Sequence, residues 1–173
     1  MSDTFDFKKD KDKVSEDGEA EMGSLYHSAT QAKLTCLLGV DDRFTVLTEL
    51  SLDISRYDFS QYGIKAKDEV KPDICLYPND IAFPDRDIVK MTEMPLLVIE
   101  ILSPSQGIKE LKDKIYAYFE MGVKAGWLVL PDLQLITVYA KPGQFKNFDV
   151  QHDVEVVDEV MDIHLPLAKV FRS

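Results

Sequence analysis

The sequence contains little cysteine. Its two cysteines, Cys36 and Cys75, lie in neither a CxxC nor a CxxH arrangement. Structural zinc sites use such closely spaced ligand pairs, so we expect none, and nothing in the separation of the two residues requires a disulfide. Free thiols are typical of a reducing compartment, which predicts a cytoplasmic protein.

Long hydrophobic runs are also missing. No apolar stretch is long enough to cross a bilayer, and the N-terminal MSDTFDFKKDKDK lacks the apolar centre of a secretory signal. We therefore expect no membrane association. The sequence has neither GxGxxG nor GxxxxGK[ST], which argues against a phosphate-cradling glycine loop.

A basic excess is the third absence. Lys and Arg number 20 against 31 Asp and Glu, which gives a net charge of −11. Proteins that grip nucleic acid tightly and without specificity usually carry a basic excess or stripe. The charge argues against that class, but a transient nucleic-acid substrate remains open because the distribution of charge matters more than its sum.

What remains is an ordinary soluble composition, with 45% hydrophobic and 29% charged residues over 173 positions. This length suits one domain with its own core. Residues 1–20 are rich in Asp, Lys, Glu and Ser, and we interpret them as a charged N-terminal arm. Residues 21–173 then form the single domain.

Hydrophobic periodicity predicts the elements of that domain. Apolar residues at helical spacing indicate a helix over 27–38, with Ser24 or Ser28 as its cap and Gly39 at its end. A second helix follows within 103–122, with Ser103 or Ser105 as its cap and Gly122 at its end. Alternating or continuous apolar runs predict strands over 44–54, 70–77, 95–102, 126–131, 135–140 and, more weakly, 154–157.

The order helix, strands, helix, strands predicts an α/β fold of the α+β kind, with a mixed β-sheet flanked by helices. The strand over 95–102, the second helix and the strand over 126–131 suit a right-handed βαβ crossover. The strands over 126–131 and 135–140 suit a hairpin.

An acidic residue interrupts each of two apolar strands. Glu100 lies in PLLVIEILSPSQ, and Asp73 follows Pro72 in VKPDICLY. A buried, unpaired carboxylate costs several kcal/mol or stays protonated. Each acid therefore pairs with a cation, lies at a solvated strand end, or helps to hold a metal such as Mg²⁺, which prefers carboxylate oxygens. If the two strands are neighbours, both acids could share one cation.

Several segments together resemble the PD-(D/E)XK, or restriction-endonuclease-like, superfamily. The closest likeness is to a large bacterial branch of endonuclease-like proteins, long classed as a domain of unknown function and expanded in photosynthetic bacteria. The likeness covers nearly the whole chain. It comprises SEDGEAEM, HSATQ, TELSLDI, KPDI, IEILSPSQ, KIYAYFEMGV, GWLVLP and LPLAKVF, in that order.

The resemblance implies a restriction-endonuclease-like core and hydrolysis of DNA phosphodiester bonds with Mg²⁺ (or Mn²⁺). Asp73 and Glu100 would be the metal-binding acids, and the backbone carbonyl of Ile101 would be a further ligand. A metal in such a site polarises the phosphoryl oxygen and activates a water molecule. DNA would be the substrate, and a homodimer would bring two sites to cut both strands.

The sequence departs from the superfamily pattern at its lysine, because Leu102 stands where the E-x-K motif has Lys. The resembling branch carries its lysine on the following helix, which is Lys114 here. The alternative for Lys114 is a surface ion pair with Glu110, one helical turn away. Lys112 is a second candidate for the same role.

Three other polar residues are candidates. Glu49, in TELSLDI, could complete an acidic cluster or face solvent. His27 could lie near the substrate, although a histidine at the start of a helix is more often a cap or a surface group. Gln106 could contact substrate or serve only as a polar residue at the start of the helix.

These observations predict a Mg²⁺-dependent endonuclease that uses Asp73, Glu100 and Lys114. A catalytically inactive binding or regulatory module with the same fold is the alternative, favoured by Leu102 and by the acidity. A structural or partner-binding protein with a basic partner is a third interpretation.

Overall fold

The computed structural model describes residues 23–171 of the chain. The arm expected over residues 1–20 lies outside them. No helix among the described residues is long and apolar enough to span a membrane.

Two helices and one six-stranded sheet form the centre of the fold. The helices are α1 (Leu25–Gly39), α2 (Ile108–Glu120) and the short α3 (Leu167–Val170). The strands are β1 (Phe44–Thr48), β2 (Leu52–Asp53), β3 (Glu69–Val70), β4 (Ile74–Pro78), β5 (Leu97–Ile101), β6 (Ala125–Leu130), β7 (Leu135–Lys141), β8 (Gln144–Asp149), β9 (Glu155–Asp158) and β10 (Ile163–Pro166). Short 3₁₀ helices cover Ser60–Tyr62 and Pro131–Leu133.

The main sheet is mixed, with strand order β1-β4-β5-β6-β7-β8. β5 and β6 are parallel and are joined through α2, whereas the other neighbours are antiparallel. The β-α-β connectivity of the predicted crossover, the hairpin and the mixed sheet are therefore confirmed. The β2–β3 pair and the β9–β10 pair each form a separate two-stranded sheet.

The sheet separates two apolar clusters. Ile74 and Ile99 face the cluster that contains Leu34 of α1, while Cys75 and Val98 face the cluster of α2. All five residues of β5 are buried, because both faces of this strand are covered. This burial explains the continuous apolar run around Glu100.

Helix α1 begins as predicted, because the Ser24 hydroxyl accepts a hydrogen bond from the backbone N–H of His27 at 3.2 Å. Helix α2 begins differently. Its N-cap is Gly107 and has no side-chain cap bond, so the caps expected at Ser103 and Ser105 are wrong. The residues before it form a turn instead, closed by a 3.1 Å bond from the Gln106 N–H to the Ser103 carbonyl.

Two predicted strands are each divided in the structure. Strand β1 ends at Thr48, and the next residue, Glu49, has a positive φ of 52°. The strand predicted over 44–54 is therefore divided into β1 and β2, which belongs to a separate sheet. The 70–77 run divides between Val70 and Ile74, where Pro72 has no N–H to give to a ladder. Asp73 therefore lies directly before β4 and not within it.

The C-terminal third contains more strand than its pattern indicates. β8 and β10 were not predicted, because the exposed residues of β8 in particular weaken the apolar alternation. Buried Asp158 ties β9 to the main sheet by accepting a 2.8 Å bond from the Trp127 indole N–H. The closing LPLAKVF packs into the core, as expected, through Leu165, Leu167, Val170 and Phe171.

Candidate active site

The two acids singled out in the sequence lie opposite each other at one end of the sheet. Antiparallel β4 and β5 pair Ile74 with Ile99 and Cys75 with Val98. One further step in this register places Asp73 opposite Glu100. Glu100 belongs to the face that α2 covers, whereas Asp73 lies just before β4, at the end of the sheet, where residues of α1 reach it.

Asp73 is held by four hydrogen-bonding contacts. Its Oδ2 accepts the backbone N–H of Ile101 at 2.7 Å, and its Oδ1 lies 3.2 Å from Nε2 of His27. Its carbonyl oxygen accepts the Gln31 side-chain amide at 3.0 Å and the Glu49 backbone N–H at 3.2 Å. These contacts fix an acid that lies outside any strand.

Glu100 is only 3% exposed. Its Oε1 accepts a 2.6 Å hydrogen bond from the hydroxyl of Tyr118, which is itself 2% exposed. Burial raises the pKa of Glu100 to about 7. The positive charge of Lys114 opposes this rise, while the negative charge of Asp73 adds to it, so all three groups share one electrostatic environment.

His27 is the basic side chain that contacts the Asp73 carboxylate. The hydrogen bond with Asp73 is the main cause that raises the pKa of His27, although partial burial opposes the effect. The charges of Glu100 and Glu49 raise this pKa further. His27 is thus neither a cap nor a free surface group, since it holds one of the two acids.

Lys114 forms the surface ion pair that was its alternative interpretation, and its catalytic role stays a prediction. Its Nζ lies 3.9 Å from the Glu110 carboxylate, the predicted one-turn ion pair, and its side chain is 26% exposed. The same ammonium is near enough to Glu100 to lower the pKa of that acid. Lys112, in contrast, lies over the ring of Tyr116 at 5.5 Å.

The remaining two candidates, Gln106 and Glu49, form no side-chain hydrogen bond with Asp73 or Glu100 among the described residues. The Gln106 side-chain oxygen accepts the Ser103 N–H at 3.3 Å, so this residue closes the turn before α2. Glu49 has an exposed side chain, and its closest link to the site is the backbone bond to Asp73.

Sequence reasoning missed two residues of the site, Gln31 and Tyr118. Tyr118 belongs to the apolar face of α2, but its hydroxyl donates to Glu100. The sequence spacing could have indicated both residues, because Gln31 follows His27 by one helical turn and Tyr118 follows Lys114 by one turn.

The comparisons with known proteins agree with this architecture. The sequence profile of the Uma2 family, described as "Putative restriction endonuclease", matches residues 18–168. The chain belongs to the Uma2 family. No curated protein matches the chain.

The Uma2 chain is also similar to a solved structure from Anabaena variabilis ATCC 29413, described as "a putative nuclease belonging to DUF820". The likeness has a TM-score of 0.68 and 22% identity, and it covers 87% of this chain and 82% of the other. At this identity it establishes a shared fold. The fold expected from the restriction-endonuclease-like resemblance is therefore confirmed.

The donor groups of this Uma2 chain fit a magnesium-type ion. Within residues 23–171, no three His, Cys, Asp or Glu side chains converge as a ready-made ligand set. Mg²⁺ characteristically takes only one or two carboxylates and completes its shell with water and substrate oxygens. Tyr118 donates to Oε1 of Glu100, so Oε2 remains for an ion, and each Asp73 oxygen can accept more than one contact.

A groove of about 610 Å³ opens beyond the end of β5. It begins at Leu102, two residues after Glu100, and runs between the start of α1 and the turn after β6. Its lining includes exposed Leu25, Ile108 and Leu133 and no Lys or Arg, and it includes neither of the two acids.

Proposed function

We propose that this Uma2 protein is a metal-dependent endodeoxyribonuclease that hydrolyses DNA phosphodiester bonds with Mg²⁺ (or Mn²⁺). One observation carries the proposal: the β4–β5 register sets Asp73 opposite Glu100 at one end of the sheet. A buried carboxylate facing a second acid is electrostatically costly, and a divalent cation between them would relieve the repulsion. Membership of a family described as a restriction endonuclease supports the same chemistry.

In this proposal Asp73, Glu100 and the backbone carbonyl of Ile101 hold the metal ion. The ion would supply Lewis-acid polarisation of the phosphoryl oxygen and a water of lowered pKa. Lys114 places a positive charge where negative charge develops on the phosphoryl group. His27 keeps Asp73 in place, because its Nε2 lies 3.2 Å from that carboxylate.

Nicking of a supercoiled plasmid tests the proposal. We expect purified protein to convert it to the open-circular form with Mg²⁺ or Mn²⁺ and not with EDTA. Asp73→Ala and Glu100→Gln should each abolish the conversion. Glu159→Gln is the matched control, since Glu159 is an exposed acid that pairs with Lys146, away from Asp73 and Glu100 in the sequence. Nicking that survives Asp73→Ala would overturn the proposed site.

The second candidate function is a catalytically inactive binding or regulatory module. Leu102 in place of the motif lysine and the net charge of −11 favour it. Isothermal titration with Mn²⁺ separates the two. An enzyme of the proposed kind takes up metal at a site lost in Asp73→Ala, whereas a module without this chemistry takes up none.

Three expectations stay predictions. A homodimer would let two sites cut both strands of a duplex, and sedimentation velocity would detect it. A cytoplasmic location and the division into an arm over 1–20 and a domain over 21–173 await cell fractionation and limited proteolysis.

A further inference from the structure

The hydrogen bond between Tyr118 and Glu100 joins two buried polar groups from different elements. Tyr118 lies in the third turn of α2, and Glu100 lies in β5, 18 residues earlier in the chain. The donor–acceptor distance is 2.6 Å, which is normal for a hydroxyl that donates to a carboxylate. Such a bond forms only where α2 and β5 hold the hydroxyl and the carboxylate within hydrogen-bonding distance of each other.

Packing alone does not require a hydroxyl at this position. A phenylalanine ring would fill the same space against Leu111 and Ile115 without burying a polar atom. Burying the Tyr118 hydroxyl next to a carboxylate costs desolvation of both groups, which the hydrogen bond only partly offsets. The hydrogen bond therefore contributes more to the orientation of the Glu100 carboxylate than to the stability of the fold.

We propose that Tyr118 is the positioning residue of Glu100: its hydroxyl holds Oε1 and thereby leaves Oε2 for the divalent cation. This inference rests on the proposed function and goes one step further, because it assigns the two oxygens of one ligand to different tasks. A hydrogen bond from a neighbouring residue orients a metal-binding carboxylate in the same way that second-layer partners orient other metal ligands.

The position of the hydroxyl is set by close contact between α2 and β6. A Cβ atom added to Gly126 would lie 2.8 Å from Cγ2 of Ile115, so the helix sits directly on the backbone of the strand. Ile115 lies between Lys114 and Tyr118 in the sequence of α2. The same packing thus fixes the height of the Tyr118 hydroxyl above Glu100 and the position of the Lys114 ammonium.

The chain offers a matched control for removing this hydroxyl. Tyr77 is also buried, belongs to the same apolar cluster and donates its hydroxyl, but to the backbone carbonyl of Glu93 at 2.7 Å. Tyr77→Phe removes a buried hydroxyl and one hydrogen bond without touching Glu100. Tyr118→Phe makes the same chemical change at the site.

The test is titration of wild type, Tyr118→Phe and Tyr77→Phe with Mn²⁺ by isothermal calorimetry, with thermal unfolding in EDTA as a fold check. We expect Tyr118→Phe to bind Mn²⁺ about 10- to 100-fold more weakly than wild type. Tyr77→Phe should bind it as wild type does. In the nicking assay, Tyr118→Phe should need more metal for half-maximal rate and regain much of its activity at saturating metal.

The outcomes separate the inference from the proposed function. If wild type binds Mn²⁺ and Tyr118→Phe binds it no more weakly than Tyr77→Phe, the inference is overturned and the proposed metal site stands. If wild type binds no divalent metal, both are overturned. Should Tyr118→Phe not fold, Glu100→Asp replaces it, since the shorter acid withdraws from the hydroxyl; wild-type Mn²⁺ affinity in that variant would overturn the inference.

Discussion

At the scale of single residues, Glu100 combines a charge with deep burial. Its strand is otherwise apolar, and only the Tyr118 hydroxyl among the described residues donates to its carboxylate. Burial raises its pKa to about 7, so near neutral pH the folded protein holds this group between its two protonation states. A group of this kind weakens the fold whenever it ionises without a cation beside it.

The sign of this effect gives a prediction for Glu100→Gln. Because the folded pKa of about 7 lies above the ordinary 4.5, the unfolded chain releases the proton first as pH rises. The contribution of Glu100 to the free energy of unfolding of the wild type therefore falls between pH 4.5 and about pH 7 and stays low at higher pH. Gln cannot ionise, so we expect Glu100→Gln to exceed wild type at pH 8 by on the order of 3 kcal/mol.

Urea unfolding in EDTA at pH 5 and pH 8 measures this difference. At pH 5 the folded wild type keeps its proton while the unfolded chain has released most of it, so Glu100→Gln should exceed wild type by only about 1 kcal/mol. The Glu159→Gln control should follow wild type at both pH values. A Glu100→Gln variant that is less stable than wild type at pH 8 would contradict the assigned burial.

The two candidate lysines of α2 give a second prediction. We expect Lys114→Ala to lower the nicking rate by about 10²- to 10³-fold, because its charge reaches Glu100 and the proposed phosphoryl position. Lys112→Ala should change the rate little, because Lys112 lies over the Tyr116 ring. Single-turnover nicking at saturating Mg²⁺ compares them, and equal losses in the two variants would refute the assignment to Lys114.

At the scale of elements, each long helix contributes a pair of residues one turn apart to one acid. His27 and Gln31 of α1 both contact Asp73. Tyr118 and Lys114 of α2 act on Glu100, one by a hydrogen bond and the other by charge. Glu100 lies in β5 and Asp73 directly before β4, and the helices on either side of the sheet hold them, so the site depends on how closely the helices pack.

This dependence predicts the effect of Gly126→Ala. The added methyl would meet Ile115 at 2.8 Å, so α2 must shift from β6 and carry Tyr118 and Lys114 with it. We expect a loss of stability of about 1–3 kcal/mol together with weaker Mn²⁺ binding. Gly39→Ala is the control, because a Cβ there meets nothing within 4 Å.

A double-mutant cycle with Ile115→Ala checks the mechanism. Ile115→Ala alone removes buried methyl groups and should cost about 2–5 kcal/mol. The combined variant should cost clearly less than the sum, since each change makes room for the other. If the two losses in the free energy of unfolding, measured with urea, are additive, the contact between Gly126 and Ile115 does not limit how closely α2 packs on β6.

At the scale of the whole molecule, the net charge of −11 has to be reconciled with the proposed substrate, which is a polyanion. A divalent cation at the two acids would reverse the local charge at the place where the phosphate binds. The acidity elsewhere would limit non-specific binding and leave contact with DNA dependent on metal.

Thermal unfolding with and without Mg²⁺ tests this dependence. An ion that binds only the folded protein stabilises it by about 2.7 kcal/mol at a hundred times its Kd. For a chain of this size, that corresponds to a Tm increase of about 5–10 °C. Asp73→Ala should lose the increase, while Glu159→Gln should keep it. An equal Tm increase in Asp73→Ala would place the ion elsewhere.

Much of this fold was readable from local patterns. The β5 run, the α2 apolar face and the β6–β7 hairpin were predicted because each has a clear period and clear ends. The break at Glu49 was not, because a positive φ in a non-glycine residue leaves no mark in an otherwise alternating sequence. The turn before α2 was also missed, since the serines that suggest a cap occur a few residues before the actual one at Gly107.

The sequence by itself determined which residues are candidates for the proposed chemistry: two acids that interrupt apolar runs and a lysine on the helix that follows. Only the tertiary structure decided their geometry, because strand register brings Asp73 opposite Glu100 across 26 intervening positions in which no local pattern encodes the pairing. The hydroxyl of Tyr118 became part of the site for the same reason. The helical period shows which face of α2 is buried. Only the packing of α2 against β6 shows that the Tyr118 hydroxyl on this face contacts Glu100.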